Sequence, residues 1–471
     1  MSFTAPSAAA VQGSHNWIGS NAAYNLLKPT IDPKEAKVWG TQDITGLMEK
    51  LGDKNYIAAI SYRHMEEDRI HQLVIAAGTG TGVVGATITY TVDASDYIAN
   101  FPTSAVEPYV ATGTQANLMP VRVNDILLFP NQAQGVVTGV NAGATTFTCT
   151  STNGIALPTT TSADNIVNLG VSVGEGKDQA ASVSPRSYVY YNMAEIMNDT
   201  YSTTGTSLGE ATWQEYTFQG QTKNVWWFKG QSATFRRFRN FREMKLVAGD
   251  KVTSATGVNA YDATLARTEG LIPFCSSYNA VVQFNINSGL TLDDYQTLIT
   301  DSIDKNAGTT EYSVVTSINN RKAIESFVRT EMKEGGVQYN AFGGDKQQYV
   351  NFGFDSFQTL GYTSHLMTYQ PFNNPTMLGA DGLMYQNLSL FIPMNKEIYA
   401  IGEQKQKTEV PSIRINYVKN EKSREWEEWL LGGTGGVYTN SVDTISINFR
   451  SHCGFEGFGA NRFVALEAVA S

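Results

Sequence analysis

The side chains that could do chemistry are few and poorly spaced for it. Glu425, Glu427 and Glu428 stand beside Trp426 and Trp429 in "REWEEWLLGG". Two carboxylates can cleave a glycosidic bond when they face each other about 5–9 Å apart across a cleft. Glutamates crowded into one charged run read instead as a solvated face. The histidines are His15, His64, His71, His365 and His452, with no HExxH or comparable ligand spacing. His64 and His71 flank "MEEDRI" and could share a metal with its carboxylates. A polar helix or strand face is the simpler account. Gly80, Gly82 and Gly85 have the G-x-G-x-x-G spacing after the apolar "LVIAA". A dinucleotide site needs a helix to follow, because the pyrophosphate rests on a helix N-terminus. The β-branched "ATITYTV" follows instead, so these glycines read as a hinge. "GGTGG" (432–436) lacks the Lys-Ser/Thr of a phosphate loop and reads as a surface loop. No nucleophile elbow is read. The sequence therefore predicts no enzyme, no cofactor and no metal.

One stretch has a different character. "NVWWFKGQSATFRRFRNFREMKLVAGDK" interleaves Phe235, Phe238 and Phe241 with Arg236, Arg237, Arg239 and Arg242. The pattern predicts one helix over 219–247, with Gly230 a flaw in it and Gly249 at its C-terminal stop. A helix advances about 100° per residue, so phenylalanines three apart drift around its axis. A helix touched from several sides would need that. Arginines could neutralise phosphates, but Glu243 is embedded among them and the chain carries a net charge of −10. Arginine is also favoured at subunit contacts, where its planar fork pairs carboxylates. Phe235, Arg236, Phe238, Arg239, Phe241 and Arg242 are therefore the candidate intersubunit contacts.

The elements around this helix follow from composition and period. The 471 residues suggest about three domains. Charged residues are scarce at 17% against a Ser/Thr/Asn/Gly background, which suits a β-rich protein whose surface meets other protein. Cys149, Cys275 and Cys453 are scattered and form no CxxC pair, as expected of reduced thiols in a cytoplasmic setting. No secretory signal is read, and no apolar run approaches the ~18 residues of a membrane span. Residues 1–35 read as an arm, and "DITGLMEKLG" as a short helix with Asp43 at its N-cap and Gly52 as its stop. Residues 72–174 hold a single basic residue, Arg122, and carry β-type runs broken by Gly135, Asn141 and Asn153-Gly154. This stretch predicts a β-rich loop or inserted β-module. "YVYYNMAEIMNDTYSTTGTS" reads as strands or extended chain, and "GLIPF" as the start of a strand. "LTLDDYQTLITDSIDKNAG" is a helix capped by Thr291 with Asp294, Leu292, Tyr295 and Ile299 on one face. "TEYSVVTS" is a buried strand, and "INNRKAIESFVRTEMKEGG" a helix with Ile324, Phe327, Val328 and Met332 inward. "QYVNFGF", "LSLFIPM", "SIRINYV" and "TISINF" read as strands.

The order of these pieces resembles the major capsid proteins of tailed bacteriophages, the Hong Kong 97 fold. In that family an arm leads to an extended β-loop and then to a spine helix approached through a Ser/Thr-Gly-Thr turn, which "MNDTYSTTGTS" resembles. "REMKLVAGDK" resembles the end of that helix, with Glu243 and Gly249-Asp250. "GLIPF", "LTLDDYQTLI" and "YSVVTSINNRKAIESFV" are similar to the strand and helices that follow. The large stretch before Ser184 resembles the elaborated loops of large-phage or crAss-like capsid proteins. The resemblance implies an α+β fold divided into an arm and short helix (1–60), an extended loop with a β-rich insertion (61–200), a spine helix and peripheral domain (201–265), an axial domain with peripheral strands (266–440) and C-terminal strands returning to the peripheral domain (441–471). It implies self-assembly as hexamers and pentamers into an icosahedral virion shell, formed in a bacterial cytoplasm around double-stranded DNA held without sequence specificity. A separate scaffolding protein, a portal and head decoration proteins are the implied partners. Lys177 is the lone lysine near the loop, so no crosslinking is expected. A phage fibre or carbohydrate-binding β-rich protein is the alternative, and it predicts repeated strands. A bacterial nanocompartment shell and a β-rich hydrolase are weaker rivals.

Overall fold

The computed structural model describes residues 46–67, 73–93, 119–162, 164–176, 178–180, 187–208, 211–218, 220–251, 267–278, 281–285, 289–305, 309–334, 355–373, 385–394, 396–401, 406–432 and 442–469. The fold is mixed α+β. Asp43, "QYVNFGF", Asn306 to Gly308 and Gly335-Gly336 lie outside the described residues. The chain separates into two compact units. One holds Asn198–Asn240 and Glu427–Phe449; the other holds Ile44–Met197, Phe241–Trp426 and Arg450–Ser471.

In the second unit the β-rich stretch is a closed six-stranded barrel. Its order around the wall is Leu73–Gly78, Thr87–Val92, Thr146–Ser151, Gln134–Asn141, Asp125–Leu128, Asn165–Val171 and back to the first, all antiparallel. Alternation makes this possible: Thr87, Thr89 and Thr91 face out while Ile88, Tyr90 and Val92 are buried. Val74, Leu127, Val137, Phe147, Cys149 and Ile166 fill the interior. The Tyr90 ring lies 5.2 Å from Phe129 and 5.5 Å from Phe147, and its hydroxyl donates to the Pro158 carbonyl at 2.9 Å. Closure leaves no strand edge to aggregate. Arg122, the single basic residue here, pairs with the buried Asp125 at 3.3 Å. The barrel is inserted between two strands that pair antiparallel, Ser61–Glu67 and Ser187–Met193.

A six-stranded mixed sheet forms the larger core of the same unit. Its order is Val281–Asn285, Val464–Val469, Leu388–Pro393, Glu311–Thr316, Tyr362–Thr368, Ser356–Thr359. Helices Leu292–Leu298 and Ile318–Glu334 pack on it through Tyr295, Leu298, Ile324 and Phe327. The Thr291 capping box forms as the sequence predicts: the Asp294 N–H donates to Thr291 Oγ1 at 3.1 Å, and the Thr291 N–H donates back to Asp294 Oδ2 at 3.0 Å. The last strand, Val464–Val469, joins this sheet, not the one containing Thr444–Gly457. "GLIPF" is not a strand: Leu271–Tyr278 is a helix. Pro273 falls in its first turn, where no N–H is needed, and Leu271, Phe274 and Cys275 bury one face. The short helix is Leu47–Leu51, begun by Gly46 at φ 112° and ended at Gly52. Asp53–Ile57 runs parallel to Ile413–Val418, which is antiparallel to Thr444–Gly457.

Strand Thr444–Gly457 also pairs with Glu195–Thr204 and Glu427–Gly432. A separate two-stranded ribbon, Ala211–Phe218 with Gln221–Val225, leads into the long helix. That helix is Trp226–Ala248, so the expected start near 219 is corrected: 221–225 are extended. Thr222, Asn224 and Val225 are poor helix formers, and Thr222 and Val225 pair with Thr217 and Ala211 of the preceding strand instead.

Candidate functional site

The long helix buries one stripe. Trp227, Gln231, Thr234 and Phe238 recur at steps of four, three and four, and all are buried. Phe238 stacks on Phe449 (6.2 Å, 22°) and Phe235 meets the same ring edge-on (5.6 Å, 71°). The phenylalanine drift thus serves one neighbour in the same chain over its first two members. Gly230 is not a flaw. A Cβ there would lie 2.1 Å from Cζ of Tyr201, whose ring packs 5.2 Å from Trp227. The Tyr201 ring sits so close to the helix that any side chain at 230 would force it to move.

Two of the arginines, Arg237 and Arg242, are engaged by carboxylates of their own chain. Arg237 forms a two-pronged pair with Asp199, both bonds 2.7 Å. In the second unit Arg242 is buried, donates to Glu49 at 2.6 Å and lies 5.9 Å from the Trp426 ring centre. Beside it, Glu243 accepts the Met48 N–H at 2.9 Å and thereby caps the Leu47–Leu51 helix, which has no side-chain cap of its own. Burial pushes the Glu243 carboxyl up, against the Met48 hydrogen bond and the Arg242 charge. Of the six candidate contacts, Phe238 and Arg242 therefore face their own chain. Phe235, Arg236 and Arg239 are half-buried, Arg239 lying 5.9 Å over the Phe235 ring. Phe241 is 51% exposed and is the large apolar side chain this helix turns outward.

A buried ionic cluster escaped the sequence reading. His64 Nδ1 lies 2.9 Å from Glu456 Oε1 and His64 Nε2 lies 3.1 Å from Glu66 Oε1. Arg414 donates twice to Glu456 Oε2, at 2.7 and 3.0 Å, and Asn416 donates to the same oxygen at 2.6 Å. Glu66 also accepts the Gly459 N–H at 2.7 Å. His64 is thus on a strand face with two carboxylates as its partners; His71 lies outside the described residues. A second buried knot centres on Asn192, which donates to the carbonyls of Phe455 (2.7 Å) and Glu269 (3.0 Å).

The remaining motifs find structural roles. Strand Thr87–Val92, not a helix, follows Gly85, and Gly82 and Gly85 adopt φ of 69° and 81° in the connection. Glu425 accepts from Lys54 and from the Tyr56 hydroxyl, and Glu427 opens strand Glu427–Gly432. The G-x-S-x-G spacing does occur, around Ser172 and Ser207. Ser172 follows the last barrel strand in non-helical chain, and the Ser207 hydroxyl lies 3.2 Å from that of Thr204. Ser207 does lie in the one-turn helix Gly205–Leu208 directly after strand Glu195–Thr204, but among the described residues its partner is Thr204 and not a histidine base.

No protein-family model matches the chain, and no curated protein does. Among solved structures, its neighbours over nearly the full length come from phages of Mycobacterium and Microbacterium. Mycobacterium phage Ogopogo matches at 8% identity, covering 95% of this chain and 98% of that one, with a TM-score of 0.42. Microbacterium phage Oxtober96 matches at 9% identity, covering 96% and 99%, with a TM-score of 0.41. The capsid structure of Cyanophage P-SCSP1u matches at 9% identity, covering 64% and 81%, with a TM-score of 0.36.

Proposed function

We propose that this chain is a structural shell protein, the major capsid protein of a tailed phage, which assembles from hexamers and pentamers into an icosahedral head around double-stranded DNA. The observation that carries the reading is a set of elements left incomplete in one copy. Two-stranded ribbons Ala211–Phe218/Gln221–Val225 and Lys396–Ile401/Gln406–Pro411 pair with no third strand among the described residues. Such ribbons are marginal in water by themselves and need a surface to lie on. The 23-residue helix between sheet and turn presents Phe241 outward at 51% exposure. A subunit of a closed shell meets copies of itself on most edges, and those copies supply the missing surfaces.

The extended ribbon Ser61–Glu67/Ser187–Met193 with its barrel fits the family's extended loop enlarged by an inserted domain. A separate scaffolding protein, a portal and decoration proteins belong to the same proposal, as does assembly in the cytoplasm of a bacterial host. The proposal assigns no catalytic role. A fibre would be built of repeated strands, whereas this chain joins one barrel to a helix-flanked mixed sheet. Electron microscopy of the protein expressed with candidate scaffolding proteins tests the reading. Closed icosahedral particles are expected, and soluble trimers that bind glycans would replace it with the fibre reading.

A further inference from the structure

Both ring nitrogens of His64 meet carboxylate oxygens, Glu456 Oε1 at 2.9 Å and Glu66 Oε1 at 3.1 Å. An ionised carboxylate only accepts hydrogen bonds, and a neutral imidazole carries a single N–H. The two contacts are satisfied together only by an imidazolium. We propose that His64 is a proton-operated latch. Protonated, it holds Glu66 against the turn at Gly459 while bonding Glu456 of strand Thr444–Gly457; deprotonated, it keeps Glu456 and lets Glu66, with its hold on the Gly459 turn, go.

The choice of which side opens follows from the surroundings. Glu456 is 2% exposed and is held on its other oxygen by Arg414 and Asn416. Glu66 is 26% exposed and can turn to water, leaving the Gly459 N–H. Glu66 is also the penultimate residue of its strand, beyond which the chain runs to the barrel's first strand at Leu73. The latch therefore sits where the barrel-bearing ribbon is rooted.

Every charged element packed on the ring enters the balance. Glu66 comes from its own strand, Glu456 from Thr444–Gly457 and Arg414 from Ile413–Val418. Tyr190 stands directly opposite in the antiparallel register with its ring 5.0 Å away, and its hydroxyl donates to Glu269, which Lys251 pairs at 3.2 Å. Phe458 closes the site at 4.4 Å and also faces Arg414 at 4.8 Å. Lys251 and Glu269 compensate each other. Among these groups, two cations face two anions with the imidazolium, and one cation, Arg414, faces two carboxylates without it.

Burial by itself would lower the His64 imidazolium, but the hydrogen bonds to Glu456 and Glu66 outweigh it and hold the group above its ordinary 6.5. Against their own burial, hydrogen bonding to His64 holds Glu456 and Glu66 below the ordinary carboxylate value. For a histidine raised in the folded state, the contribution is complete below the unfolded value and is lost as pH rises through the folded one. The latch is thus shut in mild acid and opens toward alkaline pH.

Hydrogen exchange on the full-length protein from pH 5.5 to 9, corrected for intrinsic exchange, tests this. In the wild type, protection of the peptide covering 61–67 is expected to fall about tenfold or more across that range, while peptides from barrel residues 134–151 hold theirs. In Glu66→Gln the side-chain amide donates to the neutral Nε2, so protection of 61–67 is expected to be flat with pH. A wild type whose 61–67 protection does not change with pH overturns the latch. So does a Glu66→Gln protein that loses protection as the wild type does. His64→Gln, if it folds, should show the open level of protection at every pH; closed-level protection at acid pH would contradict the proposal.

Discussion

Two phenylalanines on one helix, three residues apart, are expected to fail in different assays. Phe238 is fully buried against Phe449, whereas Phe241 is 51% exposed. Truncating a buried phenylalanine to alanine costs about 3–5 kcal/mol, because it removes apolar contacts and leaves a cavity. Against a domain stability of about 5–15 kcal/mol, Phe238→Ala should bring the subunit close to unfolding. An aromatic side chain offers roughly 150–250 Å². The outward half of Phe241 therefore holds roughly 100 Å² for a neighbour to cover. At about 25 cal/mol per Å² this is about 2.5 kcal/mol for each subunit contact, or about 70-fold in the association constant. Phe241→Ala should thus leave most folding stability in place and reduce assembly. Urea unfolding of unassembled subunits and sedimentation of assembly mixtures separate the two effects. If Phe241→Ala assembles like wild type while unfolding much earlier, or if Phe238→Ala loses less than about 1 kcal/mol, the division of the helix into an inner and an outer face is wrong.

Gly230→Ala should destabilise the subunit by about 1–3 kcal/mol through overpacking on Tyr201. Adding Tyr201→Ala should recover part of the loss, and a double-mutant cycle by urea unfolding measures the coupling. Glu456→Gln breaks a buried pair and should cost about 3–5 kcal/mol at neutral pH. Glu456 is held low mainly by His64 and Arg414 against its burial, so its contribution exists above its unfolded value and fades as pH falls through the folded one. Glu243 is raised by burial, so Glu243→Gln, which keeps an acceptor for Met48, should be neutral or stabilising by on the order of 1 kcal/mol at pH 7. Unfolding midpoints at pH 5 and pH 7 test that opposite sign. Burial pushes the Cys149 thiol up to about 12 and Cys453 up to about 11, and Cys275 is buried as well. Native protein should therefore leave all three thiols unmodified by a thiol reagent at pH 8, and denatured protein should expose them.

Local signals were legible where one segment decides its own structure. The Thr291–Asp294 capping box, the alternation of Thr87–Val92 and the amphipathic Ile318–Glu334 helix depend on neighbours within a turn or two. The β-module was legible as strands, but its closure was not. Closure rests on the pairing of Leu73–Gly78 with Asn165–Val171, strands separated by most of the module. "GLIPF" misled because short apolar runs fit strand and helix equally, and tertiary burial of Phe274 decided the matter. The helix start misled because 221–225 had a strand partner available in Ala211–Phe218. The outward face of the helix was only half legible. Aromatic and arginine spacing singled these residues out, but which of them meet Phe449, Asp199 or Glu49 depends on distant chain. The His64 cluster was invisible for the same reason, since Glu456 lies 392 positions away.

The central claim is that the long helix completes its surroundings with copies of the same chain. A cryo-electron microscopy map of assembled particles tests it at side-chain level. Phe241 and Arg236 should lie under density from a neighbouring subunit, with both two-stranded ribbons resting on adjacent copies. A particle in which Phe241 and both ribbons face solvent, or a protein that stays monomeric with every candidate scaffold, would contradict the account.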